Sequence, residues 1–288
     1  MKTGFIGLGA MGMPMARNLH KAGLLAAVYN RSPDKARALA AELGCIAAAS
    51  VAELAKLCEA VVLCVSADAD VLEMVEALAP ALAGGALVVD CSTVGAATAR
   101  KAGKILGARG IDFLDCPVSG GTEGARHGTL AIMCGGTEAA FQRAQPLLNA
   151  MGKRVALMGP AGAGQATKAV NQIVVAGVAQ AVSEALAFAD AQGLPLEKVI
   201  EVVGSGAAQS WFLTNRGPNM MRMTFPLGFK VSLHDKDLDI VQRMAAAQGV
   251  QLPVVEMTRI HYRRLMADGH GDEDISSLFR LKHALFKK

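Results

Sequence analysis

Three spaced glycines near the start of the chain restrict its fold more than any other feature. They follow the apolar run 3–6 and open the helical pattern of residues 11–22, in the sequence Gly7-Leu8-Gly9-Ala10-Met11-Gly12. In that setting the first glycine allows a tight turn, the second lets the backbone approach a pyrophosphate, and the third lets the helix pack on the strand. The N–H groups and dipole at the helix start also favour a phosphate. The pattern predicts a dinucleotide site; the alternative is an ordinary glycine-rich turn of an α/β protein.

Short apolar runs alternate with longer helical patterns through the first 160 residues. The predicted strands are 3–6, 26–29, 60–64, 87–90, 112–115, 131–134 and 154–157. The predicted helices are 11–22, 33–43, 51–57, 69–79, 96–108 and 137–150. Because these strands are continuously apolar rather than alternating, they predict a parallel sheet with helices on both faces.

The pattern changes after Gly159-Pro160. Residues 164–191 form one long alanine-rich helical pattern that ends at Gly193, and further helical segments follow at 195–203, 209–222, 230–248, 253–267 and 274–285. We therefore predict an α/β fold with two domains. Residues 1–161 would form a Rossmann-type dinucleotide-binding domain. A long interdomain helix and an all-α domain would occupy residues 162–288.

Composition and charge argue against several classes of protein. Lys and Arg number 29 against 25 Asp and Glu, and aromatic residues make up 4% of the chain. Without a basic run or stacking aromatics, no nucleic-acid partner is expected. No histidine or cysteine spacing matches a metal site, and the six cysteines are expected to be reduced in a cytoplasmic protein. No run reaches the about 20 apolar residues of a membrane span, so no membrane partner is expected.

The end of the second predicted strand indicates which dinucleotide would bind. Asn30-Arg31-Ser32 stands where an NAD site usually has Asp or Glu for the ribose 2′-hydroxyl. With a guanidinium and a hydroxyl in place of a carboxylate, the segment favours the 2′-phosphate of NADP, although NAD stays possible. The alternative for Arg31 is a solvated side chain beside a turn.

Four motifs, in order along the chain, resemble those of a known family. They are GLGAMGMPMARNLHKAG (residues 7–23), DCPVSGG (115–121), GAGQATKAVN (162–171) and LHDKDLDI (233–240). Together they are similar to the β-hydroxyacid dehydrogenase family, which includes 3-hydroxyisobutyrate dehydrogenases, tartronate semialdehyde reductases and glyoxylate or succinic semialdehyde reductases. The resemblance covers essentially the whole chain. It implies a homodimer or homotetramer that moves a hydride between a nicotinamide cofactor and a short, carboxylate-bearing 3-hydroxy acid or its semialdehyde.

A lysine in the long helix is the candidate proton carrier. Oxidation of a hydroxyl needs a group that takes its proton, and reduction needs the same group to return it. The resemblance assigns this catalytic role to Lys168, although a lysine in the first turns of a helix would by itself more often be solvated. Asn171 lies on the same helix face at i+3, where its amide could orient the substrate. Related sequences can carry this amide one position later, at Gln172.

A serine and two glycines form the candidate site for the substrate's acid group. Ser119-Gly120-Gly121 follows the predicted strand 112–115, so it should emerge at the carboxyl edge of the sheet, where open α/β folds bind ligands. Two glycines allow close backbone approach, and consecutive N–H groups with a hydroxyl suit a carboxylate. The resemblance places the substrate carboxylate here, whereas the segment by itself would be a plain loop.

Other strand ends and the helical domain supply further cofactor candidates. Thr93 is expected beneath the nicotinamide ribose or ring, and Cys64-Val65-Ser66 along the adenosine side. By resemblance, Lys236 and Asp237 reach the cofactor and the active site from the helical domain.

Three aromatic residues of the helical domain have two possible roles each. Phe229 lies seven residues before Lys236 and could cover the substrate or pack in the core. Trp211 and Phe212 could line the pocket or pack within the helical domain. His234 is expected at the surface.

Three other classes of protein share part of this sequence pattern. A relative of 6-phosphogluconate dehydrogenase shares the glycine turn and long helix, but such enzymes are much longer and bind a substrate phosphate. An imine reductase shares the architecture but usually lacks the lysine. A non-catalytic NADP-binding interaction module would bind cofactor without turning over any semialdehyde or hydroxy acid.

Overall fold

The computed structural model describes residues 1–287. They form two compact units, one from Met1 to Lys168 and one from Ala169 onward. The division falls inside the long helix Ala163–Ala191, whose first turns belong to the first unit. The domain boundary at residue 161 stays a prediction.

The first unit is built on one sheet of nine strands. In chain order they are β1 Thr3–Ile6, β2 Leu25–Tyr29, β3 Ile46–Ala47, β4 Ala60–Leu63, β5 Leu87–Asp90, β6 Asp112–Asp115, β7 Val118–Ser119, β8 Leu130–Gly135 and β9 Gly152–Gly159. Six strands lie side by side and parallel in the order β3-β2-β1-β4-β5-β6. This is the order of dinucleotide-binding sheets, in which ligands bind outside the carboxyl ends of the strands.

One edge of the sheet departs from the expected parallel arrangement. Strand β8 runs antiparallel to β6 and β7 in one register, with Asp115 opposite Gly135 and Ser119 opposite Ala131. Strand β9 then pairs parallel to β8. The predicted strand 131–134 therefore does not continue the parallel arrangement, because only residues 120–129 connect β7 to β8, and a parallel crossover needs about a dozen residues or more.

Seven helices complete the first unit before the long helix begins. They are α1 Gly12–Lys21, α2 Pro33–Leu43, α3 Val51–Leu57, α4 Asp68–Leu78, α5 Ala96–Gly107, α6 Gly121–His127 and α7 Glu138–Met151. Helices α2 and α3 have the bounds that the sequence predicts. Helix α6 and the two-residue strands β3 and β7 were missed, because two-residue strands show no periodicity and α6 contains two poor helix formers, Gly121 and Gly124.

Alternate residues of the parallel strands pack on opposite faces of the sheet. Phe5 and Val28 belong to the apolar cluster on one face, whereas Ile6 and Ala27 belong to the cluster on the other. Each of these four side chains is at most 1% exposed. Both faces of the sheet are therefore covered, as the continuously apolar strands predict.

The described part of the second unit is helical. The rest of α8 Ala163–Ala191 is followed by α9 Leu196–Gly204, α10 Trp211–Met221, α11 Val231–Ala246, α12 Pro253–Ala267, the 3₁₀ turn Ile275–Ser277 and α13 Leu278–Ala284. The predicted helix 274–285 is divided because Asp274 caps the 3₁₀ turn by accepting from the Ser276 N–H. Buried Leu186, Leu238 and Tyr262 belong to the core of this unit.

Helix α8 is long and apolar enough to cross a membrane by length and composition alone. Half of its most apolar window is buried inside the protein, and a core helix passes the same test of length and composition. The absence of a membrane partner stays a prediction.

Candidate active site

The glycine turn between β1 and α1 has the backbone that the motif requires. Gly7 has φ +97°, and a Cβ on Gly12 would collide with the Gly7 carbonyl oxygen. A Cβ on Gly9 would meet no heavy atom within 4 Å, so the backbone there is open to a ligand. The Leu8 N–H donates to Asn30 Oδ1 over 2.8 Å and ties the turn to the end of β2. The turn thus fits a dinucleotide pyrophosphate.

The start of α1 is also suited to an anion. Met11 occupies the N-cap position, and its side chain makes no capping hydrogen bond to the first N–H groups of the helix. Ala10 beside it is exposed, whereas Leu8 is buried. A phosphate at this helix start would meet backbone N–H groups and the positive end of the helix dipole.

The turn after β2 places a cation in solvent. The Arg31 side chain is 91% exposed, and its Nη1 lies 3.7 Å from Asp70 Oδ1. Asn30 Nδ2 donates to the Ser32 carbonyl over 3.1 Å, which holds the turn in shape. Asn30 therefore connects the glycine turn to the Arg31 turn, while Arg31 is accessible to a ligand.

The turns that follow β4 and β5 are joined to each other by Ser92. The Val65 N–H donates to Ser92 Oγ over 2.9 Å. Next to Ser92, Thr93 is half-buried, as is Cys64 beside Val65, whereas Ser66 is exposed. The structure thus brings together the two strand ends that the sequence assigns to the cofactor.

Gln165, in the first turn of α8, holds the β5 turn on both sides of Thr93. Its Nε2 donates to the Ser92 carbonyl over 2.7 Å, and its Oε1 accepts from the Val94 N–H over 3.1 Å. The Gln165 side chain is only 1% exposed. The oxygen and the nitrogen of its amide thus both hydrogen-bond to main-chain atoms of the same turn.

Asp115, the last residue of β6, anchors the start of α8. Its Oδ1 accepts from the Gly162 N–H over 2.7 Å and its Oδ2 from the Gln165 N–H over 2.8 Å. Burial raises the pKa of Asp115 to about 6, although these backbone hydrogen bonds lower it. Asp115 is therefore largely ionised above pH 7, as suits a carboxylate at a helix N-terminus.

Asp90 lies beside Asp115 in the sheet register, at the end of β5. Its Oδ1 accepts from the Ser92 N–H over 2.9 Å, while its Oδ2 has no hydrogen-bond partner among the described residues. Burial raises the pKa of Asp90 to about 7, against the lowering effect of Ser92. Burial therefore favours the protonated form of this carboxyl in the acidic range up to near-neutral pH.

Lys168 is buried rather than solvated, with 6% of its surface exposed. Its Nζ donates to the Val118 carbonyl over 2.9 Å. Val118 immediately precedes the Ser119-Gly120-Gly121 segment, in which Gly120 and Gly121 have φ of +127° and +61°. Ser119 ends β7 and Gly121 begins α6, so this segment connects a strand directly to a helix. The candidate proton carrier and the candidate carboxylate site are therefore adjacent.

Four polar side chains of the second unit form a continuous chain of contacts. Asn171 Nδ2 donates to Gln172 Oε1, and Gln172 Nε2 donates to Asp237 Oδ2, each over 2.7 Å. Lys236 Nζ lies 3.0 Å from Asp237 Oδ1. Gln172, an alternative to Asn171 in the sequence, thus joins three predicted site residues. We call these four residues the amide–carboxylate chain.

His234 is fully buried, so the expectation of a surface histidine was wrong. Its Nδ1 lies 3.0 Å from the Tyr262 hydroxyl, and its Nε2 lies 3.3 Å from the Gln172 carbonyl oxygen. The Phe229 ring is centred 5.3 Å from the His234 ring. The Phe229 N–H donates to Asp274 Oδ2 over 3.0 Å, which holds its backbone in place. Helical spacing alone could not reveal the Tyr262 partner, because it comes from another helix.

Trp211 and Phe212 have different surroundings. Phe212 is 7% exposed and packs in the helical core, whereas Trp211 is 56% exposed with the Arg216 guanidinium 5.2 Å from its ring centre. Within residues 1–287, no group of three or more His, Cys, Asp or Glu side chains could hold a metal ion. That the protein needs no metal stays a prediction.

The predicted site residues form two sets, one in each unit. Three residues of the first unit that hold the others were not predicted from the sequence: Ser92, Asp115 and Gln165. In the second unit, Gln172 was predicted only as an alternative to Asn171, and its bond to Asp237 was not. Asp115 and Gln165 both lie inside quoted motifs, DCPVSGG and GAGQATKAVN. That position was the only available signal, since their partners are main-chain atoms far away in sequence.

The strand order, the glycine turn and the open backbone at Gly9 define the class of dinucleotide-binding α/β proteins. Residues 2–159 match the protein-family model described as the NAD binding domain of 6-phosphogluconate dehydrogenase. Residues 162–282 match the family model described as NAD-binding of NADP-dependent 3-hydroxyisobutyrate dehydrogenase. The chain belongs to the β-hydroxyacid dehydrogenase family, and it is an NAD(P)-dependent oxidoreductase that acts on hydroxy acids.

Relatives with specific names support this family assignment over nearly the full chain. The 2-hydroxy-3-oxopropionate reductase of Escherichia coli is 37% identical, with 96% of both chains covered. The NAD-dependent L-serine dehydrogenase of Pseudomonas aeruginosa is 35% identical, again with 96% of both covered. The structure of Mycobacterium tuberculosis 3-hydroxyisobutyrate dehydrogenase with L-serine has a TM-score of 0.89 at 30% identity, covering 97% of this chain and 98% of that one.

Proposed function

We propose that this protein is an NADP(H)-dependent reductase of a short semialdehyde, and that Lys168 is its general acid and base. The substrate class comprises glyoxylate and the succinic, tartronate and methylmalonate semialdehydes, with the matching hydroxy acids in the reverse direction. The observation that carries the proposal is the buried Lys168 ammonium, held by the carbonyl of Val118 directly before Ser119-Gly120-Gly121. An acid/base group thereby lies beside a segment suited to a carboxylate.

The first unit would hold the cofactor. Gly7 to Gly12 would receive the pyrophosphate, Arg31 and Ser32 the 2′-phosphate, Cys64-Val65-Ser66 the adenosine side and Thr93 the nicotinamide ribose. When bound, the nicotinamide cofactor supplies or accepts the hydride at the substrate carbon. The exposed Arg31 guanidinium supports NADP over NAD, because a 2′-phosphate offers it a charge-assisted hydrogen bond.

Lys168 would move the proton that accompanies this step. A lysine ammonium has three donors, and the Val118 carbonyl accepts one of them. In reduction, Nζ would give a proton to the carbonyl oxygen of the substrate as that oxygen becomes a hydroxyl. In oxidation, the neutral amine would take the hydroxyl proton. Burial around Lys168 excludes water, so the proton would pass to the substrate and not to solvent.

The second unit would contribute substrate contacts. The amide–carboxylate chain fixes the amide of Asn171 and the ammonium of Lys236 through the buried carboxylate of Asp237. We assign Asn171, Asp237 and Phe229 to the substrate and Lys236 to the cofactor.

A homodimer or homotetramer in the cytoplasm is also proposed. The aliphatic side chains of Val170, Val174 and Ile260, on α8 and α12, are each about 60% exposed, which supports association. The six cysteines are all free thiols, which supports a reducing compartment.

The test is an assay of hydride transfer with NADPH and NADH against the four aldehydes, and in reverse against 3-hydroxyisobutyrate and L-serine. We expect turnover of at least one aldehyde, faster with NADPH. The Lys168→Ala variant should lose about 100- to 10,000-fold in kcat, because proton transfer is removed. Its Kd for NADPH should hardly change. The exposed Lys153→Ala is the matched control, and unchanged kcat in Lys168→Ala would disprove the assigned role.

Cofactor choice has its own test in Arg31. The Arg31→Ala variant should lose about 10- to 100-fold in kcat/KM with NADPH, since a hydrogen bond to a charged group is worth about 1.5–3 kcal/mol. Its kcat/KM with NADH should stay the same. Arg37→Ala, which removes an exposed guanidinium from α2, is the control. Equal losses with both cofactors would argue against a 2′-phosphate site at Arg31.

A further inference from the structure

Gln165 has a buried side chain whose bonds all go to one turn. Its amide oxygen accepts from Val94 and its amide nitrogen donates to Ser92, so the two bonds bracket Thr93. A carboxamide is needed for this pair of bonds, because one partner is a donor and the other an acceptor. The turn after β5 is therefore held from both sides by a residue of α8.

The start of α8 does not depend on the Gln165 side chain. Asp115 already binds the main-chain N–H groups of Gly162 and of Gln165 itself. A Cβ on Gly164 would collide with the Asp115 and Met133 carbonyl oxygens, so the helix start lies tightly against the sheet. Asp115 thus holds the start of α8, and the direct bonds of the Gln165 amide go to the β5 turn alone.

Ser92 extends the same connection to the neighbouring strand end. Its Oγ accepts from the Val65 N–H, so the turn after β4 is hydrogen-bonded to the turn after β5. On α8, Lys168 follows Gln165 by three residues, which places both on one side of the helix. One amide therefore connects the helix that carries Lys168 to both strand ends assigned to the cofactor.

We propose that Gln165 is a positioning residue for hydride transfer, which sets the place of the Thr93 turn relative to Lys168. The inference rests on the proposed function of Lys168 and Thr93. Hydride and proton transfer act on two adjacent atoms of the substrate, so the groups that hold the cofactor and deliver the proton must keep a fixed separation. A misplacement of about 1 Å can cost about 100-fold in rate.

The test compares Gln165→Ala and Gln165→Glu with Gln180→Ala, using any substrate that the wild-type enzyme turns over. Gln180 is a matched control, because it lies on α8, is 5% exposed and donates to Thr258 Oγ1 within the second unit. We expect Gln165→Ala to lose about 10- to 100-fold in kcat, with KM and NADPH affinity changed less than threefold. Deuterium on the transferred position of NADPH should slow this variant more than the wild type. Gln180→Ala should keep wild-type kcat per folded molecule.

The Gln165→Glu variant tests the role of the side-chain hydrogen bonds through the pH dependence of kcat. A residue needed only for folding would not make kcat of the folded variant depend on pH in this way. An ionised carboxylate cannot donate to the Ser92 carbonyl, whereas a protonated carboxyl can both donate to it and accept from Val94. Burial favours the protonated form. The ratio of variant to wild-type kcat should therefore rise as pH falls from 8 to 5.5. This variant keeps the side-chain shape, so it decides the matter if Gln165→Ala does not fold.

The two hypotheses fail in different ways. No turnover by the wild type, or full turnover by Lys168→Ala, would overturn the proposed function. An active wild type together with a Gln165→Ala kcat within twofold of it, or a Gln165→Glu ratio that does not change with pH, would overturn only the role of Gln165.

Discussion

The two units hold their candidate site residues by different means. In the first unit, Asp115, Gln165 and Lys168 all bond to main-chain atoms at the carboxyl edge of the sheet. In the second, the bonds of the amide–carboxylate chain run from side chain to side chain. Main-chain partners follow from strand order, because parallel strands bring their carboxyl ends together. Side-chain partners depend on how two helices pack, so each bond of the second set needs the correct side chain at both of its ends.

Among these predictions, the largest expected change in stability comes from substitution in the glycine turn between β1 and α1. Gly12→Ala should destabilise the first unit by about 3 kcal/mol or more, because its Cβ would collide with the Gly7 carbonyl oxygen. Gly9→Ala, whose Cβ meets no atom within 4 Å, should leave the urea midpoint nearly unchanged. It should instead weaken NADPH binding by about tenfold or more, since its methyl group fills the space for the pyrophosphate. Equal stability of the two variants, or full NADPH affinity in Gly9→Ala, would contradict this account of the turn.

A smaller effect should come from Asp90 through pH. Its pKa is raised from 3.8 to about 7 in the folded state, so the folded protein binds a proton that the unfolded chain has released. Stability from this group is complete below pH 4 and is lost as pH rises through 7. Between pH 5 and 8 the loss should be on the order of 2 kcal/mol.

Urea unfolding at several pH values, in wild type and Asp90→Asn, measures this loss. The wild type should become less stable from pH 5 to pH 8 by more than the variant does, because the variant lacks the titrating group. Asp34→Asn, which changes an exposed carboxylate on α2, is the control and should keep the wild-type slope. Parallel pH profiles for wild type and Asp90→Asn would show that Asp90 does not carry the dependence.

The smallest effect is the coupling inside the second unit. A double-mutant cycle of Gln172→Ala and Asp237→Ala should give a coupling free energy of about 1–2 kcal/mol, because both side chains are buried and one is charged. The exposed pair Lys230 and Asp272, 2.7 Å apart, should give less than about 1 kcal/mol in the same cycle. A coupling for the buried pair no larger than that of the exposed pair would remove the distinction between the units.

Most of the first unit's architecture followed from local patterns. The strand 3–6 and the helices 33–43 and 51–57 have the predicted bounds, because a buried strand or a capped amphipathic helix has its own periodicity. Strand β7 and helix α6 did not follow, since one has two residues and the other contains Gly121 and Gly124. The antiparallel direction of β8 could not be predicted from local sequence patterns either, because it depends on the length of the connection between β7 and β8.

The candidate site divides in the same way. The roles of Gly7 and Gly12 could be predicted from the sequence. At each position the backbone conformation or a close contact disfavours any residue with a side chain. The burial of Lys168 and His234 could not be predicted from the sequence, because the pattern of one helix does not show which other elements pack over its side chains. Their partners, the Val118 carbonyl and the Tyr262 hydroxyl, are separated from them by 50 and 28 residues.

The sequence by itself determined the dinucleotide turn, the succession of strands and helices, and the family, because these depend on neighbouring residues and on motif order. Only the tertiary structure decided how the site residues are held. The roles of four residues come from hydrogen bonds to atoms that are remote in sequence: Ser92, Asp115, Gln165 and Gln172. Only the bond between Gln172 and Asn171 joins neighbours in the chain. Such bonds form only when the sheet edge and the helices have packed, because burial makes an unpaired amide or carboxylate costly and so selects the one arrangement that pairs them.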